Sequence, residues 1–263
     1  MAKKEHLHVI PTLVFFNCII TFTITFVIAV QLNHVTPAFP YISDTGDLAP
    51  ESCIFSQLLN ITSILMALCV FVRHLQVEKF ATFTSKISQR LSWNNIATYV
   101  GYMSCFGLSM VANFQVGNLW QLHYIGAMLC FVGGTAYFVC QTIFSYHMAK
   151  MNNTSYLFWV RCILCSFSII TCVSALVPGV ISGNYFDGKD SRHWLPSDGG
   201  YLWHLLSTSS EWLLAFTQSI LVLTFLPEFR KLNIYSPVLI IEGINKEPMS
   251  PTFKKRLSTV LYE

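Results

Sequence analysis

Three polar residues share one face of a strongly apolar segment near the end of the chain. His204, Ser207 and Glu211 lie at positions i, i+3 and i+7, which places their side chains on one side of a helix. Glu211 is the one acidic residue well inside an apolar segment, about 13 Å along the helix from Leu202. A carboxylate is costly to bury at such a depth, so it marks a candidate functional site.

Polar residues of two other apolar segments are expected at the same depth. Asn113 and Gln115 close the third segment, and His123 opens the fourth. Two interpretations stay open: a pocket for a lipid headgroup or a proton, and a hydrogen-bonding network that fixes helix packing. We therefore predict one polar cluster that comprises Asn113, Gln115, His123, His204, Ser207 and Glu211.

These residues give little support for nucleophilic catalysis or for a metal site. We expect Ser207 to hydrogen-bond Glu211 from one turn away, but a single helix face does not place His204 between them, as a catalytic triad requires. A metal site is favoured by a motif such as HExxH, and the sequence contains no such motif. We therefore expect a protein that is not an enzyme and that has neither a metal nor a cofactor.

The composition indicates an integral membrane protein. The 263 residues are 53% hydrophobic and 11% charged, whereas soluble domains are about a quarter charged. The net charge of +3 is too small to indicate a nucleic-acid partner. A helix that spans a membrane needs about 20 mainly apolar residues. Six apolar segments of the sequence are close to that length. We expect helices at about 9–31, 54–72, 96–114, 122–144, 157–181 and 202–226, followed by a flexible tail over 227–263.

The basic residues predict the orientation of these helices. Fourteen of the 16 Lys and Arg residues fall on the side of the N-terminus, the second and fourth loops and the tail. Because Lys and Arg accumulate in cytosolic loops, we predict an all-α bundle of six transmembrane helices with both termini in the cytosol. The glycosylation sequons at Asn152 and Asn153 then face the cytosol, and we expect them to carry no glycan.

The tail contains a short pattern of the kind that cytosolic sorting adaptors bind. Tyr235-Ser-Pro-Val238 is a YxxΦ pattern that begins nine residues after Leu226. We therefore predict that Tyr235 and Val238 contact a sorting adaptor, and that membrane lipid is the other partner. The sequence leaves the oligomeric state open.

Several stretches together resemble the damage-regulated autophagy modulator (DRAM) family. They occur in the same order as in that family, between about residues 9 and 230. The stretches are Pro40-Tyr-Ile-Ser-Asp-Thr-Gly46, Pro50 to Asn60, Val111 to Gln115 with His123 to Ala127, Gln141 to Tyr146, and His193 to Trp212.

The resemblance implies a six-helix membrane protein that promotes autophagy, often at lysosomal or endosomal membranes. It also implies distant kinship with proteins of GPI-lipid remodelling and with plasma-membrane adaptors for a phosphatidylinositol kinase. The loop motif that carries the resemblance adds five candidate site residues on the non-cytosolic side. They are Tyr41, Ser43, Asp44, Gly46 and Glu51.

Three functions remain open on these observations. The first, which we favour, is modulation of autophagy through a lipid pocket or a cytosolic partner. The second is a lipid-remodelling enzyme or acyl carrier that uses the polar cluster. The third is a plasma-membrane scaffold for phosphoinositide metabolism, whose basic loop over residues 73–90 and whose tail contact anionic lipid.

Overall fold

Helices account for all the regular structure in the residues that the computed structural model describes, which are 6–83, 87–152 and 155–233. No strand occurs within these ranges, and the predicted all-α class is confirmed for them. The helices are α1 (Val9–Gln31), α2 (Glu51–Phe83), α3 (Ile87–Asn113), α4 (Val116–Asn152), α5 (Ser155–Tyr185), α6 (Tyr201–Leu223) and the short α7 (Leu226–Phe229), with a 3-10 turn at Asp44–Gly46.

The six long helices form a ring in chain order. Each helix packs against the next one, and α1 packs against α6 to complete the ring. The loop over residues 32–50 enters the ring from one end, where the indole of Trp212 donates a hydrogen bond to the Pro40 carbonyl at 2.9 Å. We call this end of the bundle the loop end. The opposite end, which contains Arg73 and Arg161, is called the arginine end.

Five of the described helices are long and apolar enough to cross a membrane. They are α1, α2, α4, α5 and α6, the last taken together with α7. The third helix, α3, lies between α2 and α4 and connects the same two ends of the bundle. Its Asn94 bonds His74 near the arginine end, and its Asn113 bonds Asn60 near the loop end. Six membrane crossings with cytosolic termini therefore stay a prediction.

Close backbone contact joins α3 to α4, as expected for an antiparallel hairpin. A Cβ atom added at Gly107 would lie 2.6 Å from the Gly126 carbonyl oxygen and 2.6 Å from the Cys130 nitrogen. The link between the helices is shorter than the gap between the helices predicted at about 96–114 and 122–144. The reason is that α4 already begins at Val116 and bends at Leu119, where φ is −149° and ψ is 69°.

A buried ion cluster, formed by Arg73, Arg161 and Glu228, closes the arginine end. Glu228 on α7 forms an ion pair with Arg73 Nη1 at 3.0 Å and accepts a hydrogen bond from Arg161 Nη2 at 2.5 Å. The three side chains are 0%, 1% and 2% exposed. The positive-inside argument places both arginines on the cytosolic side, and the scaffold alternative requires Arg73 to contact anionic lipid. The structure does not allow that contact for Arg73, because the protein itself surrounds its guanidinium group.

The remaining guanidinium donors of the cluster are also used within the bundle. Ser145 on α4 accepts hydrogen bonds from Arg73 at 2.9 Å and from Arg161 at 2.5 Å. Both guanidinium groups also lie about 5 Å from the centre of the buried Phe225 ring, a distance typical of cation–π contacts. The cluster thereby joins α2, α4, α5 and the turn between α6 and α7.

Replacing Glu228 by Ala is expected to destabilise the protein by about 3–5 kcal/mol, because two guanidinium groups would stay buried without an anion between them. Thermal unfolding of the full chain in detergent micelles should show this as a lower Tm. Glu78→Ala is the matched control, since its side chain is 48% exposed and lies 3.9 Å from His74. Such exposed pairs contribute about 0–1 kcal/mol. An equal fall of Tm in both variants would contradict the role assigned to the cluster.

Candidate functional site

A cavity of about 850 Å³ lies inside the ring of helices. All six long helices and the loop over residues 32–50 line it. On α6 the lining runs from Glu211 to Val222, which corresponds to a depth of about 16 Å. The hydrocarbon core of a bilayer is about 30 Å thick, so the cavity is roughly one leaflet deep. Its volume is in the range of about 300–1,000 Å³ that is usual for small-molecule sites.

The two ends of the cavity differ in polarity. The lining towards the arginine end is apolar and includes Val14, Met66, Phe138 and Val222. The lining towards the loop end is polar. Of the described residues that line the cavity, none is Lys or Arg. The polar lining at the loop end includes Tyr41, Ser43, Asp44, His123, Asn184 and Glu211.

Two buried carboxyl groups line the polar end. Asp44 is 7% exposed and Glu211 is 9% exposed, and the backbone of Ile42 hydrogen-bonds the Glu211 carboxyl group. Burial, followed by the nearby charge of Asp47, raises the pKa of Asp44 from 3.8 to about 7, although Arg192 acts in the opposite direction. The polar end can therefore take up a proton near neutral pH, and it offers carboxyl oxygens as hydrogen-bond acceptors.

His123 is another predicted site residue that lines the cavity. Its side chain is 4% exposed, and its Nδ1 atom lies 2.6 Å from the Phe114 carbonyl oxygen. That contact fixes the ring against the α3–α4 link. His123, Asp44 and Glu211 therefore share one site, although they come from α4, the loop and α6.

Ser207 and His204 have partners other than Glu211. The Tyr41 hydroxyl donates to Ser207 Oγ at 2.9 Å, and Ser207 Oγ donates to the Ala175 carbonyl at 2.5 Å. The predicted hydrogen bond between Ser207 and Glu211 is therefore wrong. His204 stacks on Trp194 with ring centres 4.1 Å apart and meets the Tyr41 ring edge-on at 5.3 Å. Ser207 and His204 thereby hold the loop with Tyr41 and the loop with Trp194 against α5 and α6.

Asn113 and Gln115 lie apart from the cavity. The amide of Asn113 exchanges hydrogen bonds with Asn60 on α2, with both donor–acceptor distances 3.0 Å. Gln115 accepts a hydrogen bond from Asn118 at 3.2 Å. The predicted single cluster is thus divided into three groups: the cavity group, the Ser207–His204 group and these two amide pairs.

The remaining loop-motif residues position the loop. A Cβ atom at Gly46 would overlap the ring of Phe55, so only glycine fits there. Glu51 is fully buried and pairs with His34. Sequence reasoning missed Asp47, which accepts a hydrogen bond from the Gly117 backbone at 2.7 Å and pairs with Arg192 at 3.3 Å. The available signal was that Arg192 is one of only two basic residues predicted on this side.

The predicted sorting motif and the expected absence of a metal concern features outside this cavity. Tyr235 and Val238 lie outside the described residues. Within the described ranges, no group of three or more His, Cys, Asp or Glu side chains is arranged to hold a metal ion.

Comparisons with known proteins agree with the motif resemblance. The family model described as "Frag1/DRAM/Sfk1/Cwh43P N-terminal domain" matches residues 6–232. Human DNA damage-regulated autophagy modulator protein 2 is 37% identical over 220 residues, which cover 81% of this chain and 80% of that protein. Human DNA damage-regulated autophagy modulator protein 1 is 32% identical over 213 residues, which cover 81% and 87%.

A third relative covers less of the chain. The zebrafish (Danio rerio) protein "Modulator of macroautophagy TMEM150B" is 32% identical over 143 residues, which cover 54% of this chain and 59% of the relative. No solved structure matches the chain. The family model and the two human relatives each span most of the chain, and the chain therefore belongs to the Frag1/DRAM/Sfk1/Cwh43P family, within which it is a DRAM-type protein.

Proposed function

We propose that this protein is a multi-pass protein of lysosomal or endosomal membranes that modulates autophagy by holding a lipid in its central cavity. The observation that carries the proposal is the cavity itself, which is one leaflet deep, apolar towards the membrane centre and polar at the loop end. A lipid has the same division into a long apolar part and a small polar part. The names of the relatives, which describe autophagy modulators, support the cellular role.

The orientation belongs to the same proposal. The arginine end faces the cytosol, since the basic residues collect on that side of the predicted helices. The protein then crosses the membrane six times, with α3 as the third crossing. The loop end, with Asp44 and the mouth of the cavity, faces the lumen. Both termini and the tail with Tyr235 lie in the cytosol.

The alternative functions have weaker support in the geometry. For an enzyme, the hydroxyl of Ser207 would need a base, but its two hydrogen bonds run to Tyr41 and to the Ala175 carbonyl. For a phosphoinositide scaffold, Arg73 is lost from the basic surface because it is buried. A non-enzymatic protein that contacts lipid inside the bundle fits these observations better.

Substitution of Tyr235 by Ala tests the membrane assignment. We expect the wild-type protein on lysosomes or endosomes and the variant at the cell surface, because the adaptor would lose the aromatic ring that it binds. Light microscopy of the tagged full chain with surface biotinylation measures this distribution. Phe253→Ala is the control, since it removes an aromatic ring of the same tail that is not part of the YxxΦ pattern. Wild-type protein at the cell surface would contradict the assignment and favour the scaffold.

Substitution of Glu211 by Gln tests the role of the cavity in autophagy. The variant keeps the size of the side chain but replaces one carboxyl oxygen with an amide NH₂ group, and a buried polar group left without its hydrogen bond costs about 1–3 kcal/mol. We expect lower autophagic flux than wild type in cells that lack the endogenous protein, at equal protein level and localisation. Glu78→Gln, the same change outside the cavity, should restore normal flux. Normal flux with both variants would contradict a functional cavity.

The raised pKa of Asp44 predicts how stability depends on pH. Folding raises this pKa from 3.8 to about 7, so the folded state holds the proton more tightly than the unfolded state. The stabilisation is complete below about pH 4 and is lost as the pH rises through about 7. We expect the Tm of the wild type to fall between about pH 5 and pH 8 and Asp44→Asn to reduce that fall.

The control for this pH series is Asp187→Asn, which removes one negative charge from an exposed position at the same end. This control shows whether a smaller fall of Tm in Asp44→Asn comes from the titration of Asp44 or from the loss of one negative charge. The same pH slope in wild type, Asp44→Asn and Asp187→Asn would contradict the prediction.

A further inference from the structure

The cavity has an open side between α4 and α5. Several residues that line it are also exposed on the outer surface of the bundle, namely Trp120, Tyr124 and Met128 on α4 and Leu176 and Val180 on α5. The exposure reaches 56% for Trp120 and 68% for Val180. A side chain that faces both the cavity and the outer surface lies at the rim of an opening.

The packing of α4 on α5 explains where this opening lies. In the half towards the arginine end, Thr142 contacts Cys165 at 3.1 Å, and Thr135 contacts Ser168 at 3.1 Å. In the half towards the loop end, α5 presents Gly183, where an added Cβ atom would meet nothing within 4 Å. The two helices are therefore joined over one half of their length and leave room between them over the other half.

We propose that this opening is a lateral portal through which a lipid of the adjacent leaflet enters the cavity, and that the cavity selects a lipid whose headgroup is neutral or cationic and bears O–H or N–H donors. The inference rests on the proposed lipid-holding function of the same cavity. The portal is the gap bordered by Trp120, Tyr124, Met128, Leu176 and Val180.

The headgroup class follows from the charges at the polar end. Asp44 and Glu211 supply carboxyl oxygens, which accept hydrogen bonds from hydroxyl or amine donors. Arg192, the nearby cation, already pairs with Asp47 and Asp190. A phosphate or carboxylate headgroup would be buried beside two carboxyl groups without a cation of its own, which is unfavourable.

The apolar part of the lipid contributes little to selection. A lipid chain in the bilayer is already in an apolar environment, so its transfer to an apolar wall yields little hydrophobic gain. The inner lining of Val14, Met66, Phe138 and Val222 therefore accommodates the chain, whereas the headgroup contacts decide which lipid stays. Because the cavity is about one leaflet deep, a lipid can move in sideways without being inverted.

Photo-crosslinking of the purified full chain in lipid nanodiscs tests the headgroup class. Three probes with the same diazirine-labelled chain are compared: an amino alcohol, a monoacylglycerol and a fatty acid. We expect the first two to label cavity residues, identified by peptide mass spectrometry, and the fatty acid to label them about tenfold less, because its carboxylate would be buried without a cation. The ratio of the first two separates an amine ligand from a hydroxyl ligand. Equal labelling by the fatty acid would overturn the headgroup class.

Two tryptophan variants test the portal. Val180→Trp places a large ring at the rim, whereas Val173→Trp makes the same change at a position of α5 that is 56% exposed and is not among the described lining residues. We expect labelling to be several-fold slower in Val180→Trp and unchanged in Val173→Trp, with equal Tm for the two. Should Val180→Trp unfold, Val180→Phe with the same control replaces it. Equal labelling rates in the folded variants would overturn the portal.

The outcomes also separate this inference from the proposed function. If Val180→Trp slows labelling of the cavity as expected but still supports full autophagic flux, the portal stands and the lipid-dependent role in autophagy fails. If Glu211→Gln lowers flux while none of the three probes labels the cavity, the role in autophagy stands and the portal is overturned.

Discussion

The buried carboxylate of Glu228, shared between Arg73 and Arg161, is the constraint on which the bundle depends. Removal of either arginine would leave the cluster with unbalanced charge in an apolar interior. Removal of Glu228 would leave two cations unpaired. The cluster therefore draws α2, α4, α5 and α7 together at one end. The cavity lies on the loop-end side of this cluster.

At the loop end the protein uses a chain segment instead of an ion cluster. Residues 40–47 descend into the ring, where Trp212 binds the Pro40 carbonyl and Ser207 binds Tyr41. The same segment supplies Tyr41 and Asp44 to the cavity lining. The loop motif is thus structural and a candidate binding element at once, which explains why it carries much of the family resemblance. A change at Tyr41 would alter both the packing of the loop and the polar end of the cavity.

Sequence reasoning found the elements of the site but not all of its connections. Hydropathy and helical spacing predicted the apolar segments and placed Glu211 inside one of them, since both depend on residues close in sequence. The burial of Arg73 depends on a glutamate 155 positions away, and positive-inside counting gives the side of the membrane but not the direction of a side chain. Ser207 was assigned to Glu211 because a single helix offers no other partner, whereas the hydroxyl of Tyr41 arrives from a loop whose path no periodicity predicts.

Buried charges are compensated differently at the two ends of the bundle. The arginine end contains both signs and closes around them, so it needs no ligand. The polar end of the cavity contains carboxyl groups without a lining Lys or Arg among the described residues, so a proton or a donor headgroup must compensate them. Because the pKa of Asp44 is about 7, an acidic lumen protonates it, whereas a neutral extracellular medium leaves more of it charged. A lysosomal setting and the cell surface would therefore present different hydrogen-bonding groups to the same lipid, which makes the membrane of residence part of the chemistry of the site.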